Sequence, residues 1–324
     1  MTSDAMPTDE DVVVHVRQWG TDSITPLSGF EPVDLAPGVR LERQAEHWWI
    51  CADADHAVQV DGIYQRECQL RPATEIVISA TLYIAETQRL VRVRDACRRL
   101  YGWQPDQLAE ADGAMRKVWL CMTRRAAIVI RVEKDILPAA RLLHRAIRGD
   151  SAPFILCSRA GHAEYLPERI AEKTLSTTEA VLAASGGSLC IRTHDRPKDH
   201  EALTREAFRP NSRITLFLCA TPRSWQYETL SEISPPPHRI RIADRTRIVT
   251  EYAKDALRRL NAPAECFRRE ELEHVLTRYS YSLDAIEQAV ERLVRLNMST
   301  NPRETARQLR VNEEHYREWM KEIP

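Results

Sequence analysis

The stretch AAIVIRVEKDILPAARLLHRAIR, residues 126–148, decides how the chain is read. Ala127, Ile128, Val129 and Ile130 form a short apolar run suited to a buried strand, and an amphipathic helix follows from Leu137. A strand, a loop and a helix in that order are the framework of a phosphate-binding loop, G-x-x-x-x-G-K-[ST]. Its glycines let backbone N–H groups curl around phosphate oxygens and its lysine reaches the terminal phosphates. Between strand and helix this chain has Arg131, Val132, Glu133, Lys134, Asp135, Ile136, Leu137 and Pro138, with no glycine. Glu133 and Asp135 stand where a polyphosphate would approach, and like charge repels it. The framework is present without its cradle.

Outward from this stretch, strand-like and helix-like segments alternate. PFILCS, GGSLCIRT and RITLFLCAT read as strands, with helices around TTEAVLAAS and DHEALTREAF, which is the pattern of a parallel sheet wrapped by helices. SPPPHRI at 234–240 is a stiff linker, because consecutive prolines continue neither a helix nor a sheet interior. Beyond it the spacing predicts helices over 245–260, 269–279 and 283–296, then a final short pair. Before residue 90 the chain is strand-like at spacings of about ten residues, with an Asp61-Gly62 hairpin turn, which predicts a small β-sandwich. Of Trp48 and Trp49, alternation along a strand puts one in the core.

Composition narrows the function classes. The chain has 324 residues, enough for two or three domains, and 46 basic against 47 acidic residues give a formal net charge of −1. No global field draws it to nucleic acid or membrane, so any DNA contact needs a local patch. No apolar run approaches the roughly 18 residues of a membrane span. The acidic start MTSDAMPTDED does not read as a secretory signal. Eight cysteines lie singly on apolar segments without CxxC pairs, as buried thiols in a reducing cytoplasm do, so a cytoplasmic protein without cofactor or metal is expected.

Several segments together resemble the AAA+ domain of bacterial enhancer-binding proteins, the activators of the nitrogen-type alternative sigma factor. GAMRKVW (113–119) resembles the entry helix of that domain, and AAIVIRV with AARLLHRAIRGDSAPFILCS resembles its P-loop strand, helix and next strand. LPERIAE and AASGGSLCIRT resemble the segments leading to and forming the Walker B strand, and RITLFLCATPR resembles the sensor I strand. The resemblance spans about residues 106–297. It implies an ATPase, yet the catalytic positions differ. The P-loop lysine falls on Ile136 and the glycines on residues such as Glu133 and Asp135. The Walker B carboxylates, which hold magnesium and polarise water, fall on Arg192 and Thr193, and the sensor II arginine falls at about Asp284. No arginine or lysine lies between Ser224 and Pro237, where arginine fingers are expected. There is also no room between Leu166 and Gly186 for the GAFTGA loop that grips the sigma factor.

The segment from Trp48 to Glu86 resembles the second half of a forkhead-associated (FHA) domain, a sandwich that binds phosphothreonine. Here Arg40 lacks its serine companion, His56 replaces the asparagine and Ala57 the glycine. TNPRETARQLRVNEEHYREWMKEI resembles the Fis-like helix-turn-helix that often closes these activators, with Arg310 in place of the turn glycine. Asn312, Glu313 and Glu314 open its second helix, where acids face DNA phosphates badly. Arg92, Arg94, Arg98 and Arg99 at helical spacing, with Arg303, Arg307 and Arg310 in the tail, are the candidate contacts for an acidic partner or nucleic acid. His194, Asp195, Asp199 and His200 are close enough in sequence for a metal, but solvated loop polarity explains them better.

The expectation is a multidomain α/β protein: an FHA-like β-sandwich over 1–90, a degenerate AAA+ α/β domain over 91–235, an α-helical lid over 236–297 and a helix-turn-helix-like tail over 298–324. Its expected role is that of a catalytically inactive regulatory or scaffold protein. It would bind protein partners, assembling with itself or with active AAA+ relatives. Two other readings stay open on the sequence. One is a DNA-binding transcriptional regulator using the tail helices; the other is a nucleotide-binding ATPase with a rearranged P-loop in which Lys134 replaces the lost lysine.

Overall fold

The computed structural model describes residues 12–56, 58–132, 136–166, 169–170, 174–221, 232–236 and 241–298. The chain divides into two compact units, Met1–Arg124 and Arg125–Pro324.

Among the described residues the first unit holds ten strands and two helices. The strands are β1 (Val13–Gln18), β2 (Ile24–Pro26), β3 (Val33–Ala36), β4 (Val39–Gln44), β5 (His47–Ala52), β6 (Val58–Val60), β7 (Ile63–Gln65), β8 (Glu67–Gln69), β9 (Glu75–Ile78) and β10 (Thr81–Thr87). They form two antiparallel sheets, ordered β2-β1-β10-β9-β6-β7 and β3-β4-β5-β8. The sheets pack face to face because alternate residues of each are apolar. Val16, Val58, Val60, Ile76 and Ile78 of one meet Val39, Leu41, Trp48 and Ile50 of the other in a single core. Trp48 is the core tryptophan, as alternation predicts, and Trp49 is half-buried. The β6–β7 hairpin turns at Asp61-Gly62, where both residues have positive φ (48° and 84°) as a two-residue hairpin loop requires.

Helices α1 (Gln88–Tyr101) and α2 (Pro105–Arg124) belong to this unit, whereas the sequence placed the boundary after residue 90 and residues 113–119 in the second domain. A buried ion network is the physical reason. Arg17 on β1, with a fully buried side chain, donates to Glu86 of β10 at 2.8 and 3.0 Å and to both carboxylate oxygens of Asp112 on α2 at 2.7 and 2.9 Å. Arg94 of α1 donates to the second Glu86 oxygen at 2.5 Å, which also meets His15 at 2.7 Å. The backbone N–H of Gly20 completes Asp112 at 2.7 Å. Burial alone would raise the Glu86 carboxyl, but His15, Arg17 and Arg94 hold it down at about 2.

The second unit is built on one sheet of seven strands. Its parallel members are β11 (Ile128–Arg131), β12 (Phe154–Ser158), β15 (Ser188–Arg192), β16 (Thr215–Ala220) and β17 (Glu232–Ile233). An antiparallel hairpin, β13 (Gly161–Leu166) and β14 (Arg169–Ile170), extends the β12 edge, so the order is β14-β13-β12-β15-β16-β11-β17. The hairpin was not foreseen, since its residues carry no clean apolar alternation. The inner strands are buried except at the last residues of β11, β12 and β15, and β16 is buried at all six positions, which is why they read as continuous apolar runs. Helix α3 (Ile136–Arg148) packs on β11 and β16, while α4 (Thr177–Ala183) and α5 (His200–Ala207) cover a core of Val129, Ile155, Leu189, Ile191, Leu216 and Leu218. Gly187 is required where β15 begins, because a Cβ there would collide with the carbonyl of Pro153. The helices expected to form the lid are α6 (Arg245–Arg259), α7 (Arg269–Arg278) and α8 (Leu283–Met298), within two residues of their sequence-predicted ends.

His144 on α3 is buried, with Nδ1 2.8 Å from Ser188 Oγ and Nε2 3.1 Å from the carbonyl oxygen of Ala152. Burial pushes its pKa down to about 4 from 6.5. The unfolded chain therefore takes up this proton first. Stability is fully present above pH 6.5 and falls as the pH drops toward 4, by on the order of 3 kcal/mol. Thermal melts of the wild type across pH 4–7 should show this loss. His144→Gln should flatten it; an unchanged slope would remove His144 as its source.

Candidate functional site

In an open parallel sheet, ligands bind beyond the carboxyl ends of the strands, where neighbouring strands send their connections in opposite directions. Here that point lies between β11 and β16. The chain leaves β11 to cross past β16 and β15 to β12, and it leaves β16 to cross β11 to β17. The strand ends around that point carry Arg131 at the end of β11, Ala220 and Thr221 at the end of β16, and Arg192 at the end of β15.

Both arginines are engaged. Arg131 donates Nε and Nη2 to the two carboxylate oxygens of Glu232 on β17 at 2.7 and 2.9 Å, and Nη1 to the carbonyl of Thr221 at 3.1 Å. The guanidinium thus ties β11, the exit of β16 and β17 together by a two-pronged bond, the strong form of this contact. Arg192 donates Nη2 to Asp195 Oδ2 at 2.8 Å, and Asp195 Oδ1 accepts from the backbone N–H of Arg159 at 3.2 Å. Thr193 opens the short 3-10 turn that carries Asp195. Arg131 is in register with Ala220 and Arg192 with Cys219, so the two guanidiniums leave opposite faces of the sheet and do not converge on one anion.

Chemically this rim is self-neutralised. A magnesium ion needs carboxylate oxygens that no cation already holds. Asp195 and Glu232 are each bonded to a guanidinium. Among the described residues no group of three or more His, Cys, Asp or Glu could hold a metal ion. Glu133, Lys134 and Asp135 lie outside the described residues; Ile136 is the first residue of α3. The sequence singles out Arg192 and Thr193 and sets Asp195 down as solvated loop polarity, while the roles of Arg131 and Glu232 were missed. For Arg131 a signal existed, a cation ending a run of three buried apolar residues.

His162 and Asp199 form a separate contact on the face covered by α4 and α5. His162 Nε2 lies 2.9 Å from Asp199 Oδ2, which also accepts from the Thr177 hydroxyl. This joins β13 to the first turns of α4 and α5 and accounts for Asp199 structurally.

The expected surface patch on α1 is corrected. Arg94, Arg98 and Arg99 are buried and Arg92 is half-buried, since Glu86 takes Arg94 and Asp22 takes Arg98 at 2.6 Å. Arg303, Arg307 and Arg310 lie outside the described residues, as does Ala57. In the sandwich His56 lines a hollow of about 290 Å³ with Ala54, Asp55, Tyr64, Gln65 and Arg66. Its ring sits where a side chain on Gly38 (φ 70°) would be. Arg40, on β4, is bonded to Glu42.

No family model and no curated protein matches the sequence. Among solved structures the chain is similar to NtrX from Brucella abortus. The crystal structure of NtrX in complex with ADP shares 15% identity over 58% of this chain and 51% of that one, with a TM-score of 0.33. The complex with ATP shares 14% over 58% and 49%, with a TM-score of 0.35. The chain spans about half the length of these structures. Among the described residues no helix is long and apolar enough to cross a membrane.

Replacing Glu232 by Ala leaves Arg131 charged and without its two-pronged partner. Urea unfolding of the variant should show a loss of about 2–3 kcal/mol. A loss below 0.5 kcal/mol would mean that the pair does not hold β17 to the sheet.

Proposed function

We propose that the chain is a non-hydrolysing, AAA+-like regulatory or scaffold protein whose parallel sheet serves as a platform for protein partners, itself or active relatives among them. One observation carries the reading: the rim where phosphates and magnesium would sit is occupied by internally neutralised arginine–carboxylate pairs, Arg131 with Glu232 and Arg192 with Asp195. A hydrolysing site needs the opposite arrangement, cationic donors left open for phosphate and carboxylates left open for the metal. The sequence adds to this, with Ile136 at the lysine position and no basic residue between Ser224 and Pro237. The order of strand, helix and strand from β11 onward, with β11 in the sheet interior, supports the AAA+ resemblance.

The FHA-like reading of the first unit is part of the same proposal. It is supported by the two antiparallel sheets and by the hairpin ending at Asp61-Gly62. His56 and Arg66 would supply the polar groups of its loop edge. This unit would be the recognition module and the second unit the assembly module.

The test is a steady-state hydrolysis assay of the full chain with ATP and with GTP in the presence of magnesium. No phosphate release above the buffer rate is expected. Turnover abolished by Arg192→Ala or by Lys134→Ala would overturn the proposal.

A further inference from the structure

The position where the resemblance puts a cationic sensor on the lid carries an acid, and that acid has a partner. Asp284, in the first turn of α8, accepts from Arg141 Nη2 of α3 at 2.5 Å. One turn along α8, Glu287 meets Arg141 at 3.3 Å and accepts from Arg145. A further turn along, Glu291 accepts from Arg259, in the last turn of α6, and from Arg295 at 2.8 Å. Asp284, Glu287 and Glu291 follow the three- and four-residue spacing of one helix face, and Arg141 and Arg145 follow it on α3. The contact is inside the unit: the side chains of Arg141, Glu287 and Glu291 are 4%, 6% and 6% exposed. Burial alone would raise the Glu287 carboxyl, yet Arg145 and Arg141 hold it below the usual range.

We propose that α3 and α8 form a latch that fixes the helical lid to the parallel-sheet part by the chain's own charges, with basic positions on the sheet side and acidic ones on the lid side. A lid that needs a ligand to bridge it would leave these facing positions open to that ligand. Here each acid already has a guanidinium from the neighbouring helix or its own, so the carboxylates of the joint are matched without one. The latch goes beyond the proposed function, which concerns the strand-end crevice.

The experiment is hydrogen exchange on the full chain, read over the amides of 286–293 in α8 and compared with the strands β15 and β16, with and without magnesium and ATP. Arg145→Gln should lower protection of α8 about tenfold or more while the strands keep theirs, because it leaves the buried Glu287 charge with the longer Arg141 contact alone. Asp284→Asn, at a half-exposed position, should fold normally and lower protection by about two- to fivefold. Joint replacement of Arg145 and Glu287 by Met and Leu should recover protection relative to Arg145→Gln, since a matched apolar pair leaves no charge uncompensated. ATP should change none of these values. Unchanged protection in both single variants would overturn the latch, and so would restoration of Arg145→Gln by ATP. Hydrolysis in the assay above, with the variants behaving as expected, would sink the functional reading and leave the latch standing.

Discussion

A guanidinium at the carboxyl end of β11, the strand next to the β17 edge, has to be neutralised where it stands, and this end of the second unit is arranged around that need. Arg131 ends the buried run Ile128, Val129, Ile130. Its partner Glu232 comes from a strand of two residues, too short to hold itself on a sheet edge by backbone pairing alone. The two-pronged bond supplies what the short ladder lacks, and it places β17 beside β11. The same bond draws the exit of β16 inward through the carbonyl of Thr221. A protein that used this crevice for a polyphosphate would have to leave its cation free.

Charge is handled in the same way elsewhere. In the first unit Arg17, Glu86, Arg94 and Asp112 are buried together, and each carboxylate has at least two donors. Such networks contribute little net stability against an apolar alternative, but losing one member leaves an uncompensated buried charge. Their effect is to specify which elements meet. Glu86 and Asp112 fix β10 and α2 to β1, and so assign both helices to the sandwich. On α3 and α8 the facing charges specify the seat of the lid.

Apolar pattern was legible in the sequence and charge pairing was not. The inner strands of the parallel sheet were readable because burial on both faces demands uninterrupted apolar runs, as in Phe154–Ser158 and Thr215–Ala220. The lid helices were readable from their spacing. The β13–β14 hairpin was missed because His162 and Glu164 interrupt any strand signal, and β17 because two residues have no period. Arg94 and Arg98 read as a solvated patch since arginine is usually exposed. What overrides that tendency is Glu86 and Asp22, the latter 76 residues away from Arg98 in sequence. At the candidate site, the expectation that Walker-type residues are absent rests on Ile136 and Arg192, which the sequence shows. The pairing that replaces them was hidden, because Arg131 and Glu232 are 101 residues apart and no local rule joins them.

On the proposed reading, the strand ends between β11 and β16 are neutralised by the chain's own charges. Isothermal titration of the full chain with ATP and with ADP, each with and without magnesium, tests it most directly. No saturable heat is expected for either nucleotide, and none when magnesium is added. Saturable binding of one nucleotide with a Kd below about 100 μM, strengthened by magnesium, would contradict it. It would mean that the pairs of Arg131 and Arg192 open to admit phosphate.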